Sequence, residues 1–237
     1  MGRIAALVPA AGRGERLGPG APKAMRELAG TPMLVHAVRA LCDARCIDIV
    51  VVAAPEDHVE QTRSLLAQLT GDTEVWVVSG GATRPESVAR ALIGLPEDVD
   101  LVLVHDAARP LVPPEVISAV VAALRSGDQV VVPGLRVVDT IKDVDGQERV
   151  LSTPVRDSLR AIQTPQGFAR AVLQRAHAEM SADGDSVTDD ASMVERMGVP
   201  VRVIPGHEEA FKVTRPLDLV LAEAILARRR AAGGLTA

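Results

Sequence analysis

An apolar run, Ile4-Ala-Ala-Leu-Val8, opens directly into the polar segment Pro9-Ala-Ala-Gly-Arg-Gly-Glu-Arg-Leu-Gly-Pro-Gly-Ala-Pro-Lys23. The apolar run has the length and continuity of a buried strand, and ligands of open α/β sheets bind at the carboxyl ends of such strands. The four glycines of the polar segment allow backbone N–H groups to point inward around an anion. Because Arg13, Arg16 and Lys23 add positive charge, the segment predicts a polyphosphate cradle.

The spacing within this segment does not fit two common phosphate loops. A Walker A loop needs Gly-Lys-Ser/Thr, whereas Lys23 follows Pro22. A dinucleotide loop needs a third glycine where Leu17 stands, and an acidic residue about 20 residues further on at the end of the second strand. That strand is predicted to end near Ala54, which is too far along the chain. An oxidoreductase is therefore only a distant alternative.

The remaining chain alternates apolar runs of strand length with amphipathic stretches of helix length, which is typical of βαβ units. The predicted strands are Ile4–Val8, Asp48–Ala53, Glu74–Val78, Leu101–His105, Gln129–Pro133 and Val201–Ile204. The predicted helices are Pro32–Cys42, Glu56–Leu69, Pro85–Ile93, Pro114–Arg125, Phe168–Met180, Asp189–Met197 and Pro216–Arg228. This order predicts a doubly wound α/β fold with a mostly parallel sheet, in one domain over residues 1–237.

One segment, residues 135–153, interrupts the alternation. Val137–Lys142 and Arg149–Thr153 are predicted as two strands around Asp143–Gly146, and the Asp-Gly pair within that turn is a strong hairpin signal. A two-stranded hairpin is marginal alone in water. We therefore expect it to lie on the main domain or on another subunit.

Composition narrows the class of protein. With 26 basic and 31 acidic residues the net charge is −5, which gives no general attraction to nucleic acid or to an anionic membrane. The chain has one Trp, two Phe and no Tyr, so a stacking platform for single-stranded nucleic acid is nearly excluded. It has no 18-residue apolar segment and no leader-like start. Its two cysteines are expected to be unreactive, and we expect a cytoplasmic location.

Two further loops follow predicted strands at the same sheet edge. His105-Asp-Ala-Ala-Arg109 follows the fourth strand, and its location favours a functional role for Asp106 and Arg109 over a local ion pair. We expect His105 to fill space and bond to backbone rather than to act as a base. The Gly80–Ser87 loop could contact a flat ligand such as a base, or it could be an ordinary strand-to-helix turn. Thr188-Asp-Asp190 is predicted to cap a helix.

Taken together, motifs along nearly the whole chain resemble those of the 2-C-methyl-D-erythritol 4-phosphate cytidylyltransferases of the non-mevalonate isoprenoid pathway. The motifs are Pro9-Ala-Ala-Gly-x-Gly-x-Arg16, Pro22-Lys23, His105-Asp-Ala-Ala-Arg-Pro110, Asp139-Thr140, Thr164-Pro-Gln166, Thr188-Asp189 and Lys212-Val-Thr-Arg-Pro-x-Asp218. The first alone would mark only the wider sugar-phosphate nucleotidyltransferase class. The resemblance implies a nucleotide-diphospho-sugar transferase-like fold, and a homodimer formed through a β-arm at about 135–160.

The resemblance also implies residue roles. Arg16 and Lys23 would hold the CTP phosphates and stabilise the transition state, while Arg156 and Lys212 would hold the phosphate of the alditol substrate. The residues expected to contact the nucleotide are Ala10, Ala11, Gly12, Gly14, Gly81, Ser87 and Asp106. The residues expected to contact the substrate are Asp106, Arg109, Thr140, Arg156, Thr164 and Lys212. Mg²⁺ is the expected cofactor, held chiefly by substrate phosphates rather than by a protein cage.

Two departures and two rivals qualify this interpretation. Ala24 stands where many relatives have Gln, and Ala82 where many have Asp, so side-chain reading of the base is open. A cytidylyltransferase for ribitol 5-phosphate or another alditol phosphate would use the same loops. A non-catalytic nucleotide-binding protein would need the cradle but not the second set of cations, Arg156 and Lys212.

Overall fold

The computed structural model describes residues 2–12, 22–69, 71–179 and 189–233. Arg13, Gly14 and Arg16 of the predicted cradle, and Thr188, lie outside the described residues. The strands in chain order are β1 (Arg3–Pro9), β2 (Glu27–Leu28), β3 (Thr31–Pro32), β4 (Ile49–Ala54), β5 (Glu74–Ser79), β6 (Val99–Val104), β7 (Val130–Arg136), β8 (Asp143–Val144), β9 (Val150–Ser152), β10 (Arg160–Ile162), β11 (Gln166–Ala169) and β12 (Arg202–Pro205). The helices are α1 (Met33–Asp43), α2 (Val59–Leu66), α3 (Arg84–Ile93), α4 (Pro114–Arg125), α5 (Arg170–Glu179), α6 (Asp190–Arg196) and α7 (Pro216–Ala231).

Among the described residues, eight strands form a mixed, mostly parallel sheet with the order β10-β7-β11-β6-β1-β4-β5, and β12 lies beside β7. Strand β1 runs parallel to both β4 and β6, and β4 runs parallel to β5. These central strands are continuous apolar runs because both faces of the sheet are covered; all six residues of β4 are buried. Their carboxyl ends meet at one edge, as predicted.

Helices cover both faces of the sheet. Alternate residues of β1 point to opposite sides, so Ile4 packs in one core with α1 and α4, whereas Leu7 packs in the other with α3, α5 and α6. The predicted doubly wound α/β arrangement is therefore confirmed. None of the helices in the described ranges is long and apolar enough to cross a bilayer.

The prediction was wrong around Phe168, which begins no helix. This residue lies in β11, which pairs antiparallel with β6 and β7, and helix α5 begins only at Arg170. Strand β10, antiparallel to β7, was not predicted either. Short apolar runs do not distinguish strand from buried helix by periodicity. Here the segment forms a strand because it pairs with both β6 and β7 and so fills the gap between them. Phe168 is fully buried in that position.

The predicted hairpin exists, but its first strand was placed wrongly. Residues 137–142 form no strand, and the paired segments are β8 and β9. The reason is the side chain of Asp145, whose Oδ1 accepts hydrogen bonds from Gln147 N at 2.8 Å and from Arg149 N at 3.0 Å. This loop extends to Glu148, which has a φ of +60°, and the pairing therefore starts at Val144 and Val150.

Candidate active site

The loops at the carboxyl edge of the sheet enclose a cleft of about 260 Å³. They follow β1, β5 and β6, and a fourth segment ahead of α7 completes the wall. The described residues that line the cleft are Pro9, Ala10, Ala11, Gly12, Lys23, Ala24, Gly81, Ala82, Thr83, Arg84, Ser87, Asp106, Ala107, Ala108 and Lys212. The structure thus brings most of the predicted nucleotide residues to one place, together with two of the predicted catalytic cations.

Asp106 is the centre of charge in this cleft. Its Oδ2 lies 2.7 Å from Lys212 Nζ and its Oδ1 lies 3.2 Å from Arg84 Nε. Burial by itself would raise the pKa of Asp106, but the charges of Arg84 and Lys212 outweigh it and hold that pKa well below its usual range. Asp106 is therefore a permanent carboxylate.

Arg84 is a cleft residue that the sequence analysis missed. Its Nη1 donates to Asp190 Oδ2 at 2.7 Å, while its Nε faces Asp106. Burial opposes its charge, yet Asp190 and Asp106 more than compensate and raise the pKa of Arg84. The one local signal was its place at the first turn of a helix that follows a glycine-rich loop.

Hydrogen bonds between two chain segments hold Lys212 beside Asp106. Val213 N donates to Ala108 O at 2.8 Å, and Arg109 Nη1 donates to Ala210 O at 2.7 Å. The Asp106–Pro110 loop and the residues ahead of α7 are thereby joined on both sides of Lys212. A second guanidinium nitrogen of Arg109 donates to Ile162 O at 3.2 Å. Arg109 therefore ties together three backbone segments beside the cleft, and within the described residues the predicted alternative of a local ion pair with Asp106 is not formed.

His105 and Thr164 form a buried support beneath Asp106. The hydroxyl of Thr164 accepts a hydrogen bond from Asp106 N and is also bonded to His105 Nδ1, both at 3.0 Å. Because the carbonyl oxygen of Arg109 can only accept, His105 Nε2 carries the ring proton and donates to it at 3.2 Å, so Nδ1 of the neutral ring accepts from Thr164. Burial lowers the pKa of His105 to about 4. With both ring nitrogens engaged, this neutral histidine has the space-filling, backbone-bonded role expected from the sequence.

The loop after β5 approaches the first loop very closely. A Cβ on Gly80 would lie 2.7 Å from the Cβ of Ala11, so only glycine fits there. The N–H groups of this loop are satisfied internally: Gly81 N donates to Ser87 Oγ at 3.0 Å and Ala82 N donates to Glu86 Oε2 at 2.7 Å. Together these contacts give the cleft a pre-formed wall.

Thr140 and Arg156 are not brought to this cleft within the chain. Both are exposed on the segment around β8 and β9, and Arg156 Nη1 donates to Val138 O at 3.0 Å. The predicted cations thus fall into two groups: Lys23 and Lys212 line the cleft, whereas Arg156 lies on the arm. Arg16 lies outside the described residues.

Within the described ranges, no group of three or more His, Cys, Asp or Glu side chains could hold a metal ion. Asp106 is the one carboxylate among the described residues that line the cleft, and both of its oxygens are already ion-paired. Among the described residues, the lining of the cleft therefore offers a metal ion one carboxylate at most.

The chain is similar along most of its length to proteins of one family. The model of the 2-C-methyl-D-erythritol 4-phosphate cytidylyltransferase family matches residues 4–228. Proteins of that name from Streptomyces avermitilis and Rhodococcus jostii are 58% and 53% identical, over 96% and 95% of this chain and 93% and 96% of theirs. The crystal structure of the same enzyme from Thermus thermophilus has a TM-score of 0.74 at 38% identity, and covers 95% of this chain and 99% of its own. A 4-diphosphocytidyl-2C-methyl-D-erythritol synthase from Anaerococcus prevotii reaches 0.84 at 28% identity, with 96% and 99% covered.

Proposed function

Since the chain belongs to the 2-C-methyl-D-erythritol 4-phosphate cytidylyltransferase family, we propose that it transfers the cytidylyl group of CTP to 2-C-methyl-D-erythritol 4-phosphate. The products are 4-diphosphocytidyl-2-C-methyl-D-erythritol and pyrophosphate. The observation that carries this proposal is the family match along residues 4–228. A cleft lined by Lys23 and Lys212, at the edge where α/β sheets bind ligands, supports it.

The reaction needs little acid–base chemistry. An oxygen of the substrate phosphate attacks the α-phosphorus of CTP, a new P–O bond forms, and the bond to the pyrophosphate oxygen breaks. A phosphate monoester has a second pKa of about 6, so the nucleophile is already mostly dianionic at neutral pH. The difficulty is the approach of two anions, and the remedy is positioning together with fixed positive charge.

Four cations of the chain suit this demand. We assign Arg16 and Lys23 to the triphosphate and to the charge that develops in the transition state. Lys212 and Arg156 hold the phosphate of the substrate in line. Lys23 and Lys212 both line the cleft, which supports a phosphate-binding role for each of these two residues.

The remaining assigned residues contact either the nucleotide or the polyol part of the substrate. The nucleotide lies against the loops after β1 and β5, through Ala10, Ala11, Gly12, Gly14, Gly81, Ser87 and Asp106. The polyol is positioned by Asp106 and Arg109 with Thr140. Thr164 acts on the substrate through Asp106, because its hydroxyl is already bonded to Asp106 N and His105 Nδ1.

Thr140 and Arg156 reach a substrate in the site of a second copy of the chain, because residues 135–160 form the arm of a homodimer. The arm exposes Val138, Val150, Leu151 and Val155, which would be costly to leave in water. Two short paired strands are also marginal alone. Both features favour an arm that is covered by a partner.

Mg²⁺ would be held chiefly by the triphosphate, where it would supply positive charge that favours departure of pyrophosphate. Asp106 can approach such an ion only if one of its two ion pairs opens. We place the enzyme in the cytoplasm, where reduced thiols such as those of Cys42 and Cys46 persist.

The test is pyrophosphate release by the purified protein with Mg²⁺. Release that requires both CTP and 2-C-methyl-D-erythritol 4-phosphate is the expected result. Ribitol 5-phosphate, and ATP, GTP and UTP, serve as controls for the two substrates. Release only with ribitol 5-phosphate would keep the chemistry and change the substrate, and no release with any pair would contradict an enzymatic function.

A further inference from the structure

Asp190 is a buried carboxylate that helix capping does not explain. The cap of α6 is Asp189, whose Oδ1 accepts a hydrogen bond from Ser192 N at 3.0 Å. The next residue, Asp190, is fully buried, and its Oδ2 instead accepts from Arg84 Nη1 at 2.7 Å. A buried charge without a partner is strongly unfavourable, so the pair with Arg84 offsets the cost of burying the Asp190 side chain.

The other basic side chain close to this carboxylate in the described ranges is His177. His177 Nε2 lies 3.3 Å from Asp190 Oδ1, but neither that oxygen nor the ring nitrogens has a hydrogen-bond partner among the described residues. Arg84 is accordingly the one hydrogen-bond donor to the Asp190 side chain in the described ranges. The guanidinium is a planar fork, so fixing Nη1 on Asp190 also restricts Nε, which faces Asp106.

The four charges form a row with a fully buried end at Asp190 and its most exposed member, Lys212, at the other end. The exposed fraction of the side chain is 0% for Asp190, 27% for Arg84, 11% for Asp106 and 38% for Lys212. A change of partner is least costly where water and ligand can replace the lost contact. Lys212, at the exposed end, is therefore the member that can leave Asp106 for an anionic ligand.

We infer that Asp190 is a positioning residue: it anchors Arg84, and Arg84 keeps Asp106 paired and fixed when Lys212 turns to the substrate phosphate. This inference rests on the proposed function. Without Arg84, the departure of Lys212 would leave a buried carboxylate unpaired beside an incoming anion. Without Asp190, Arg84 would itself be drawn to that anion. Arg84 thus lines the cleft without binding the phosphate.

The test compares four variants by steady-state kinetics: Arg84→Gln, Asp190→Asn, the double variant, and Asp189→Asn. The last is a matched control, because it makes the same chemical change one residue away on the same helix and leaves Arg84 untouched. Wild-type turnover with CTP and 2-C-methyl-D-erythritol 4-phosphate is measured first. A failure of the proposed function therefore appears before any variant is compared.

Arg84→Gln and Asp190→Asn should each lower kcat by about tenfold or more, the scale of a misplaced group at a reacting centre. The KM for CTP should stay within about threefold, because neither residue binds the nucleotide. The double variant should be no slower than the slower single variant, because Asp190 acts through Arg84. Asp189→Asn should lower the melting temperature and leave kcat near the wild-type value.

Three results would overturn the inference. Losses that multiply in the double variant, or an equal loss of kcat in Asp189→Asn, would show that Asp190 serves only the helix. A rise of about tenfold or more in the KM for CTP of Arg84→Gln would show that Arg84 contacts the nucleotide. Melting curves check that each variant folds. If Asp190→Asn does not fold, Arg84→Gln tests the inference alone, through a lower kcat with a nearly unchanged KM for CTP.

Discussion

At the scale of single residues, the cleft relies on charges whose partners keep them in one protonation state. Asp106 stays ionised between Arg84 and Lys212, while His105 stays neutral in a fully buried position. Groups of this kind arrange a reaction without taking or giving a proton. They fit the proposed attack by a phosphate that is already ionised.

Lys23→Ala should lower kcat by about a hundredfold, the scale of losing one charge contact to a transition state. The physical reason is that Lys23 is assigned to charge that develops on the triphosphate, so its removal affects the transition state more than the bound substrate. Pyrophosphate release at saturating substrates measures the effect, and Arg16→Ala should behave alike. Arg63→Ala, which removes an exposed charge paired with Glu60 on α2, is the control. A change confined to KM in both cleft variants would contradict the assignment.

His105 should make the protein less stable at mildly acidic pH. Its pKa is about 4 when folded and about 6.5 when unfolded, so the unfolded chain binds the proton first as pH falls. Stability is therefore lost between about pH 6.5 and pH 4, by up to roughly 3 kcal/mol. Asp106, with its lowered pKa, adds a loss only below about pH 4.

Chemical denaturation at pH 7.5 and pH 5 measures this loss. His105→Gln, which can still donate to Arg109 O, should show a smaller difference between the two pH values than the wild type. The control His58→Gln replaces a half-buried histidine that contacts Asp57 rather than Asp106, and it should keep the wild-type difference. An unchanged difference in His105→Gln would argue against a depressed pKa.

At the scale of elements, hydrogen bonds within the loop between β5 and α3 fix the shape of one part of the cleft wall. Thr83 caps α3 by accepting from Glu86 N at 3.3 Å, while the carboxylate of Glu86 turns back to Ala82 N. Ser87 accepts from Gly81 N and donates to Thr83 O. The helix start and the cleft wall are thus one hydrogen-bonded unit.

Glu86→Ala should raise the KM for CTP by about tenfold with little change in kcat, because losing one charge-assisted hydrogen bond of about 1.4 kcal/mol or more lets the loop sample other conformations. Steady-state kinetics with CTP varied measures the effect. Glu115→Ala removes an acidic residue from the first turn of α4, away from the cleft, and should leave the KM unchanged. A fall in kcat without a rise in KM would count against a role in holding the loop.

At the scale of the whole molecule, the cleft of one chain contains Lys23 and Lys212 but lacks Arg156 and Thr140. The arm that carries the missing pair projects apolar side chains such as Leu151 to solvent. A symmetric dimer with exchanged arms would cover that surface and complete two sites at once.

Mixing two inactive variants tests this arrangement. Arg156→Ala and Lys212→Ala should each lose nearly all activity, since each removes a cation from the substrate phosphate. In a dimer of one copy of each, the site with an intact Lys212 receives its arm from the copy with an intact Arg156. An equal mixture after subunit exchange should therefore recover about one quarter of wild-type activity, because half of the dimers are mixed and each has one complete site.

Size-exclusion chromatography with light scattering should show a dimer in each sample. No recovery in a mixture whose subunits demonstrably exchange would place Arg156 in its own chain's site. A mixture of Lys23→Ala with Lys212→Ala is the control. Both residues line the same cleft, so no mixed dimer has a complete site and no recovery is expected.

The sequence by itself determined the parts of this protein that local patterns report. Continuous apolar runs identify β1, β4 and β6 because both faces of a parallel sheet are buried. Loops with glycines and cations after those strands indicate a phosphate-binding edge, because parallel strands end on the same side. Asp106, Lys23 and Lys212 could be named in advance from the motifs that carry the family resemblance.

Only the tertiary structure decided which distant residues meet. The pairing of Arg84 with Asp190 joins residues 106 positions apart, and Asp190 looked like a simple cap because its immediate neighbours fit that role. Phe168 was assigned to a helix because its own segment is compatible with either state, and the space between β6 and β7 selected the strand. Local sequence reports burial and turn formation, whereas the partner of a charge or of a short strand depends on which chain segments the finished sheet brings within reach.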